Sequence, residues 1–272
     1  MPNYPVIDRI EITRYLFPWN DVGDDLNFAV GPFYEKGSKR TRRLLGIKIF
    51  TDEGVTGEFM SGAPGTFEQM QAVAPLLIGA NALEREKFYN IAKTHLRKND
   101  RMGIGPLDIT LWDLAGKYHN APIYQLLGGH RMKLPAYAST YHGDPDGDLN
   151  GPEAYAEFAV RCKELGYPAF KIHPVKGGNV RLDRETVLAV RRAVGDDMEL
   201  MLDPACAYNT FTEAVQVGYA CDEARYYWYE DPYKDGGVSQ HAHRKLRQIL
   251  KTPEILVPMG IWNRYGERLY ER

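Results

Sequence analysis

Only three cysteines occur in 272 residues, Cys162, Cys206 and Cys221, and their spacing matches neither a paired framework nor a metal finger. Reduced, buried thiols are the expectation. The chain also lacks any run of about 18 uninterrupted apolar residues. Its start, Met1-Pro2-Asn3-Tyr4-Pro5-Val6-Ile7-Asp8-Arg9, has no apolar signal core, so a cytoplasmic location is expected. Charge of one sign is missing too: the formal net charge is -2, which provides no field for nucleic acid or an anionic membrane. The short basic cluster Lys39-Arg40-Thr41-Arg42-Arg43 reads as a solvated approach to a strand. No Gly-x-Gly-x-x-Gly follows a strand and no Gly-x-x-x-x-Gly-Lys occurs, which leaves dinucleotide and nucleoside-triphosphate sites without residues.

What is present is ample apolar material, 44% of residues, for one or two buried cores. The first half reads as strands followed by helices: Val6 to Arg14 and Arg43 to Thr51 as strands, then a turn at Asp52-Glu53-Gly54 into a third. Helical spacing covers Thr66 to Ile78, Asn81-Ala82-Leu83-Glu84 resembles a capped helix start, and a third helix spans about Pro106 to Tyr118. From Leu134 the order becomes strand, helix, strand, helix. Strands are expected at Leu134 to Thr140, Ala169 to Val175, Glu199 to Ala205, Arg225 to Glu230 and Glu254 to Val257. Helices between them run from Pro152 to Leu165, Asp183 to Val194, Thr212 to Ala224 and Val238 to Leu250. Parallel strands joined by helical crossovers specify a wound α/β architecture, which a barrel or an open sheet would satisfy equally.

Several of those strands end on chemistry. Phe170-Lys171-Ile172-His173-Pro174 puts Lys171 and His173 two residues apart, hence on one face. Leu202-Asp203-Pro204 and Tyr229-Glu230-Asp231-Pro232 each close an apolar strand with an acid beside a proline. Polar residues at the same end of successive parallel strands are how a β/α barrel presents a site at its rim. Asp203 and Glu230 offer hard oxygens suited to Mg²⁺. Lys171 and His173 are the candidate acid/base pair, the lysine's pKa being expected to fall beside a second cation and through burial. Alone, a Lys-x-His pair would read as a snorkelling lysine and an ordinary rim histidine. Asp231 is expected to face away from Glu230, behind the rim, because neighbours on a strand alternate. His142 follows the Leu134 to Thr140 strand and is a candidate to line the mouth and touch substrate, whereas His241 and His243 are expected to be solvated.

The stretch Gly105-Pro106-Leu107-Asp108-Ile109-Thr110-Leu111-Trp112-Asp113-Leu114-Ala115-Gly116-Lys117, followed by Pro122-Ile123-Tyr124-Gln125-Leu126-Leu127-Gly128-Gly129, closely resembles the signature helix and linker of the mandelate racemase/muconate lactonizing enzyme family of the enolase superfamily. Gly54-Val55-Thr56-Gly57-Glu58 and the three strand-end motifs fall in that family's order, and the likeness covers about residues 5 to 257. The use of a Lys or His base with Mg²⁺ is a known pattern for this superfamily, not a deduction from the spacing. The resemblance implies an α/β protein with an N-terminal α+β capping domain, about residues 1 to 130, and a parallel β/α (TIM-type) barrel domain at 131 to 257, incomplete at about five strands. It implies cap loops at about Phe17 to Pro32 and Met60 to Thr66, Asp203 and Glu230 as the first two Mg²⁺ ligands, and Lys171 with His173 as the base-bearing pair. The expected partners are a small carboxylate (sugar acid) substrate and further copies of the chain.

Two departures from the family pattern stand out. The second position of the base-bearing pair is often lysine in the family, and here it is His173. Where the family places a third acidic ligand, this chain has Pro258 and Met259, and residues 258 to 272 read as a non-family tail; Glu254 lies too far down its strand to substitute. A reading-frame change or early stop near codon 258 is the simplest account. The activity expected is Mg²⁺-dependent abstraction of the proton α to a carboxylate, as in an acid-sugar dehydratase or racemase. The alternatives are a catalytically silent truncated remnant and a muconate-type cycloisomerase or epimerase.

Overall fold

A computed structural model describes residues 4–24, 32–61, 65–233 and 240–255. They divide into two compact units. One holds residues 4–18, 41–61 and 65–133, and the other 19–24, 32–40, 134–233 and 240–255. Among the described residues, no helix is long and apolar enough to cross a membrane.

The three-stranded sheet has the order β1 (Ile7–Asp24), β2 (Pro32–Thr51), β3 (Thr56–Ser61), with β2 and β3 antiparallel from Leu45↔Ser61 to Phe50↔Thr56. Leu45, Ile47, Ile49 and Thr51 are buried while the residues between them are less so, the two-residue alternation of a sheet with one covered face. Four helices follow: α1 (Thr66–Val73), α2 (Arg85–His95), α3 (Ile104–Tyr118) and the single turn α4 (Ile123–Leu126). Met70 and Val73 of α1, Phe88 of α2 and Leu107, Leu111 and Leu114 of α3 join Ile7, Ile47 and Ile49 in one core.

Both hairpin strands are longer than the sequence implies, and the expected cap loop at Phe17 to Pro32 is strand at Phe17 to Asp24 and at Pro32, with 25–31 outside the described residues. Residues 13–18 of β1 are exposed throughout, so hydrogen bonding to β2 holds this stretch extended without any burial pattern to read. In the second expected loop, Met60 and Ser61 belong to β3, Thr66 opens α1, and 62–64 lie outside the described residues. The basic cluster at 39–43 lies inside β2. Asn81 does not cap α2: it bridges to Val6 and its Oδ1 accepts from Leu83 N, so the helix starts at Arg85.

The second sheet is parallel throughout, in the order β4 (Ala138–Ser139), β5 (Ala169–Ile172), β6 (Glu199–Leu202), β7 (Trp228–Glu230), β8 (Glu254–Ile255). Helices α5 (Pro152–Glu164), α6 (Val180–Val194), α7 (Phe211–Glu223) and α8 (Gln240–Ile249) supply the crossovers. This is the strand–helix succession of a TIM-type barrel, five strands of it among the described residues. Phe170, Ile172, Leu200, Leu202 and Tyr229 are fully buried in one cluster with Tyr155 of α5, Val187 and Val190 of α6, and Ala214 and Val217 of α7. Each large apolar side chain so buried contributes roughly 1.5–3 kcal/mol. Local signals set the helix ends: Asn179 accepts from Leu182 N at the start of α6, and Thr210 and Glu213 form a reciprocal capping box on α7. All three cysteines are buried, none of them in a disulfide.

Asp183, in the first turn of α6, is buried among these side chains. Its Oδ2 accepts from Tyr208 Oη at 2.9 Å and its Oδ1 has no partner among the described residues, so burial pushes the carboxyl up to about 7 against only one opposing hydrogen bond. The folded state therefore holds a proton that the unfolded state, with an ordinary value of 3.8, has released. Stability from this group is fully present below about 4 and is lost as pH rises through about 7. Asp183→Asn carries no such proton, so between about pH 4 and 8 it should gain on the parent chain by roughly a few kcal/mol, a tenfold change in equilibrium being about 1.4 kcal/mol. Urea midpoints of both chains at the two pH values measure it; a constant difference would contradict the assignment.

Candidate active site

The sequence places its acids at strand ends because Pro204 and Pro232 lack the N–H that would continue the ladder. Register then aligns them. Ile172 pairs with Leu202 and Leu202 with Tyr229, so His173, Asp203 and Glu230 stand in a row at the C-terminal ends of β5, β6 and β7. Lys171, opposite Ser139 and Met201, lies one position deeper on the same face as His173.

These side chains meet. Lys171 Nζ donates to Asp203 Oδ2 at 3.0 Å and to Glu230 Oε2 at 3.1 Å, and His173 Nε2 lies 2.9 Å from Asp203 Oδ2. Asp203 Oδ1 accepts from Ala205 N at 2.9 Å, and Trp228 Nε1 donates to Glu230 Oε2 at 3.0 Å. On its other side, His173 Nδ1 lies 2.6 Å from the Thr140 carbonyl oxygen. Both ring nitrogens thus lie within hydrogen-bond distance of oxygen atoms, which fixes the orientation of the ring.

Burial alone would lower the pKa of Lys171, but the Asp203 and Glu230 carboxylates together outweigh it and hold the ammonium above the usual lysine value. This reverses the expected fall, which assumed a neighbouring cation where the fold supplies two anions. Burial would likewise raise Asp203, yet the hydrogen bond and charge of His173, joined by Lys171, keep it well below the usual carboxylate range. Glu230 goes the other way, raised by burial first and by the Asp203 charge second.

A cavity of about 510 Å³ opens on this group, bordered among others by Tyr34, Ser139, Thr140, His142, Cys206 and Asp231. His142 is buried at its wall, its Nδ1 2.8 Å from Pro174 O and its ring edge-on to that of His173 at 5.1 Å. So all five residues singled out in the sequence, Lys171, His173, Asp203, Glu230 and His142, converge. Asp231 departs from expectation by bordering the cavity: its φ of 39° takes the chain out of the strand, and alternation no longer governs it. His243 is buried against the Tyr233 ring, centroids 4.6 Å apart, rather than solvated.

Sequence reasoning missed the supports. Trp228 sits two residues before Glu230, the same spacing that identified Lys171 with His173, and was legible on that ground. Tyr155 carries no such signal, yet its hydroxyl donates to His173 O at 2.6 Å and accepts from Gly143 N at 2.9 Å, tying together the two segments that bear the histidines. Thr140 adds a second tie, its Oγ1 accepting from His173 N at 3.1 Å.

Residues 33–128 match the model of the mandelate racemase / muconate lactonizing enzyme N-terminal domain, and residues 154–267 match its enolase C-terminal domain-like counterpart. The chain belongs to the mandelate racemase/muconate lactonizing enzyme family. Among this family's members it is 33% identical over 226 residues to the D-galactarolactone cycloisomerase of Agrobacterium fabrum, covering 80% of this chain and 58% of that protein. To the D-xylonate dehydratase of Haloferax volcanii it is 29% identical over 247 residues, covering 82% of this chain and 58% of the relative. The crystal structure of D-glucarate dehydratase from Agrobacterium tumefaciens complexed with magnesium superimposes with a TM-score of 0.79 at 27% identity, over 92% of this chain and 66% of that one. The chain therefore spans 58% of the length of these two curated relatives.

For this family member the residues that could hold a hard cation are Asp203 and Glu230. Among the described residues no set of three His, Cys, Asp or Glu groups converges for a metal. Two buried carboxylates are nevertheless a fitting donor set for Mg²⁺, which takes one or two protein carboxylates and fills its shell with water and substrate oxygens. That both carboxylates already draw in a cation, the Lys171 ammonium, is the structure's own sign that the pair attracts positive charge.

Proposed function

We propose that the chain carries a Mg²⁺-assisted site for removing the proton α to a carboxylate, acting on a sugar acid in the manner of an acid-sugar dehydratase. The observation that supports it most is the convergence of Lys171 and His173 on Asp203 and Glu230 at the ends of adjacent parallel strands, inside one cavity. Asp203 and Glu230 are the ligands in this reading. The ion, when bound, neutralises the charge that builds on the substrate carboxylate as the neighbouring carbon loses its proton. The hydroxyls of Tyr34, Ser139 and Thr140 along the cavity suit a polyhydroxy substrate, and His142 contributes to the wall that receives it.

Two protons move in a dehydration: one leaves the carbon beside the carboxylate, and one converts the departing hydroxyl to water. His173 is oriented by its bond to the Thr140 carbonyl and donates from Nε2. Lys171 Nζ, once it has released its own proton to solvent water, receives the one from carbon. A cycloisomerase is the second reading, favoured by the 33% identity to a protein of that activity.

α-Proton exchange in D₂O with Mg²⁺, over a panel of sugar acids, tests the proposal against a Lys171→Ala, His173→Ala double variant. Exchange well above that control is the expected result. Exchange equal to it marks the chain as catalytically silent and overturns the reading. Water-eliminated against ring-opened or ring-closed products separate dehydratase from cycloisomerase.

A further inference from the structure

Lys171 stands where a counter-ion would stand. Its ammonium contacts Asp203 Oδ2 and Glu230 Oε2 at once, and the three side chains keep only 8–10% of their surface exposed. Asp203 Oδ1 is taken by Ala205 N, so its Oδ2 faces the lysine and His173 Nε2, while Glu230 Oε2 accepts from both Lys171 Nζ and Trp228 Nε1. A divalent ion bound by the same two carboxylates would sit within a few ångströms of the ammonium, where like charges in a partly desolvated site repel strongly. Yet removing the ammonium would leave the buried Glu230 carboxylate without a cation and Asp203 with His173 alone, which is costly in itself. The two cations are therefore alternatives.

We infer that the Lys171 ammonium is a built-in competitor for the divalent cation at Asp203 and Glu230, so that Mg²⁺ entry and release of the Lys171 side chain into the cavity are one event. This rests on the ligand assignment proposed above. It adds a regulatory consequence: the metal, on arriving, presents the lysine to the substrate. Without metal the lysine is engaged and the carboxylates are held in place for the ion.

Calorimetric titration of the full chain with Mg²⁺ alone, beside Lys171→Met and Lys171→Arg, provides the test. Lys171→Met is expected to bind Mg²⁺ about tenfold or more tightly than the parent, the loss of one competing charge, while Lys171→Arg stays close to the parent. Equal or weaker binding by a folded Lys171→Met chain overturns the competition and leaves the ligand assignment standing. Absence of binding in parent and variants alike overturns both. Should Lys171→Met fail to fold by circular dichroism, the parent chain decides: acetic anhydride labelling of Lys171, mapped by mass spectrometry, is expected to rise severalfold on adding Mg²⁺. Unchanged or reduced labelling overturns the inference.

Discussion

Asp203→Asn is expected to lower Mg²⁺ affinity and α-proton exchange by about 10²- to 10³-fold, the usual consequence of removing one electrostatic partner from such a site. The reason is geometric as well as electrostatic. One carboxylate oxygen accepts from Ala205 N and the other from both Lys171 and His173. An asparagine has a single acceptor oxygen: pointed at Ala205 N, it turns its own N–H₂ against two donors, and flipped, it abandons the backbone. Calorimetry with Mg²⁺ and the D₂O exchange rate measure the two losses separately. Affinity retained by an Asp203→Asn, Glu230→Gln double variant would remove both residues from the ligand set.

The largest expected effect on folding is at Gly143→Ala. A Cβ there would run into the Leu149 carbonyl oxygen and lie 2.8 Å from Tyr155 Oη, the first being backbone that cannot swing aside. Overpacking of this kind costs on the order of 2–4 kcal/mol. The loss should reach the site, because the displaced Tyr155 hydroxyl is the group that holds the His173 carbonyl. Gly105→Ala in α3 is the control: its Cβ meets nothing within 4 Å, and alanine favours a helix over glycine. Thermal unfolding of both variants, with the imidazole NMR signals of His142 and His173, checks the prediction. A Gly143→Ala chain as stable as the parent, with unmoved histidine signals, would contradict it.

The sequence by itself determined the succession of strands and helices from residue 134 onward and the face on which Lys171 and His173 lie. Both follow from short-range regularities: a period of two in strands, 3.6 in helices, and prolines that end a ladder. It equally determined that Asp203 and Glu230 sit at strand ends, since each closes an apolar run. Tertiary structure alone decided what those residues touch. Lys171 meets acids 32 and 59 residues away, and that contact turned an expected low-pKa lysine into one held high. Tyr141 N donates to Tyr34 Oη across 107 residues, and nothing local in either segment announces it. The long hairpin, the buried His243 and the cavity-side Asp231 share this origin. Their conformations are set by hydrogen bonds and packing from distant elements, or by a single left-handed residue, and such partners leave no periodic trace in the chain that carries them.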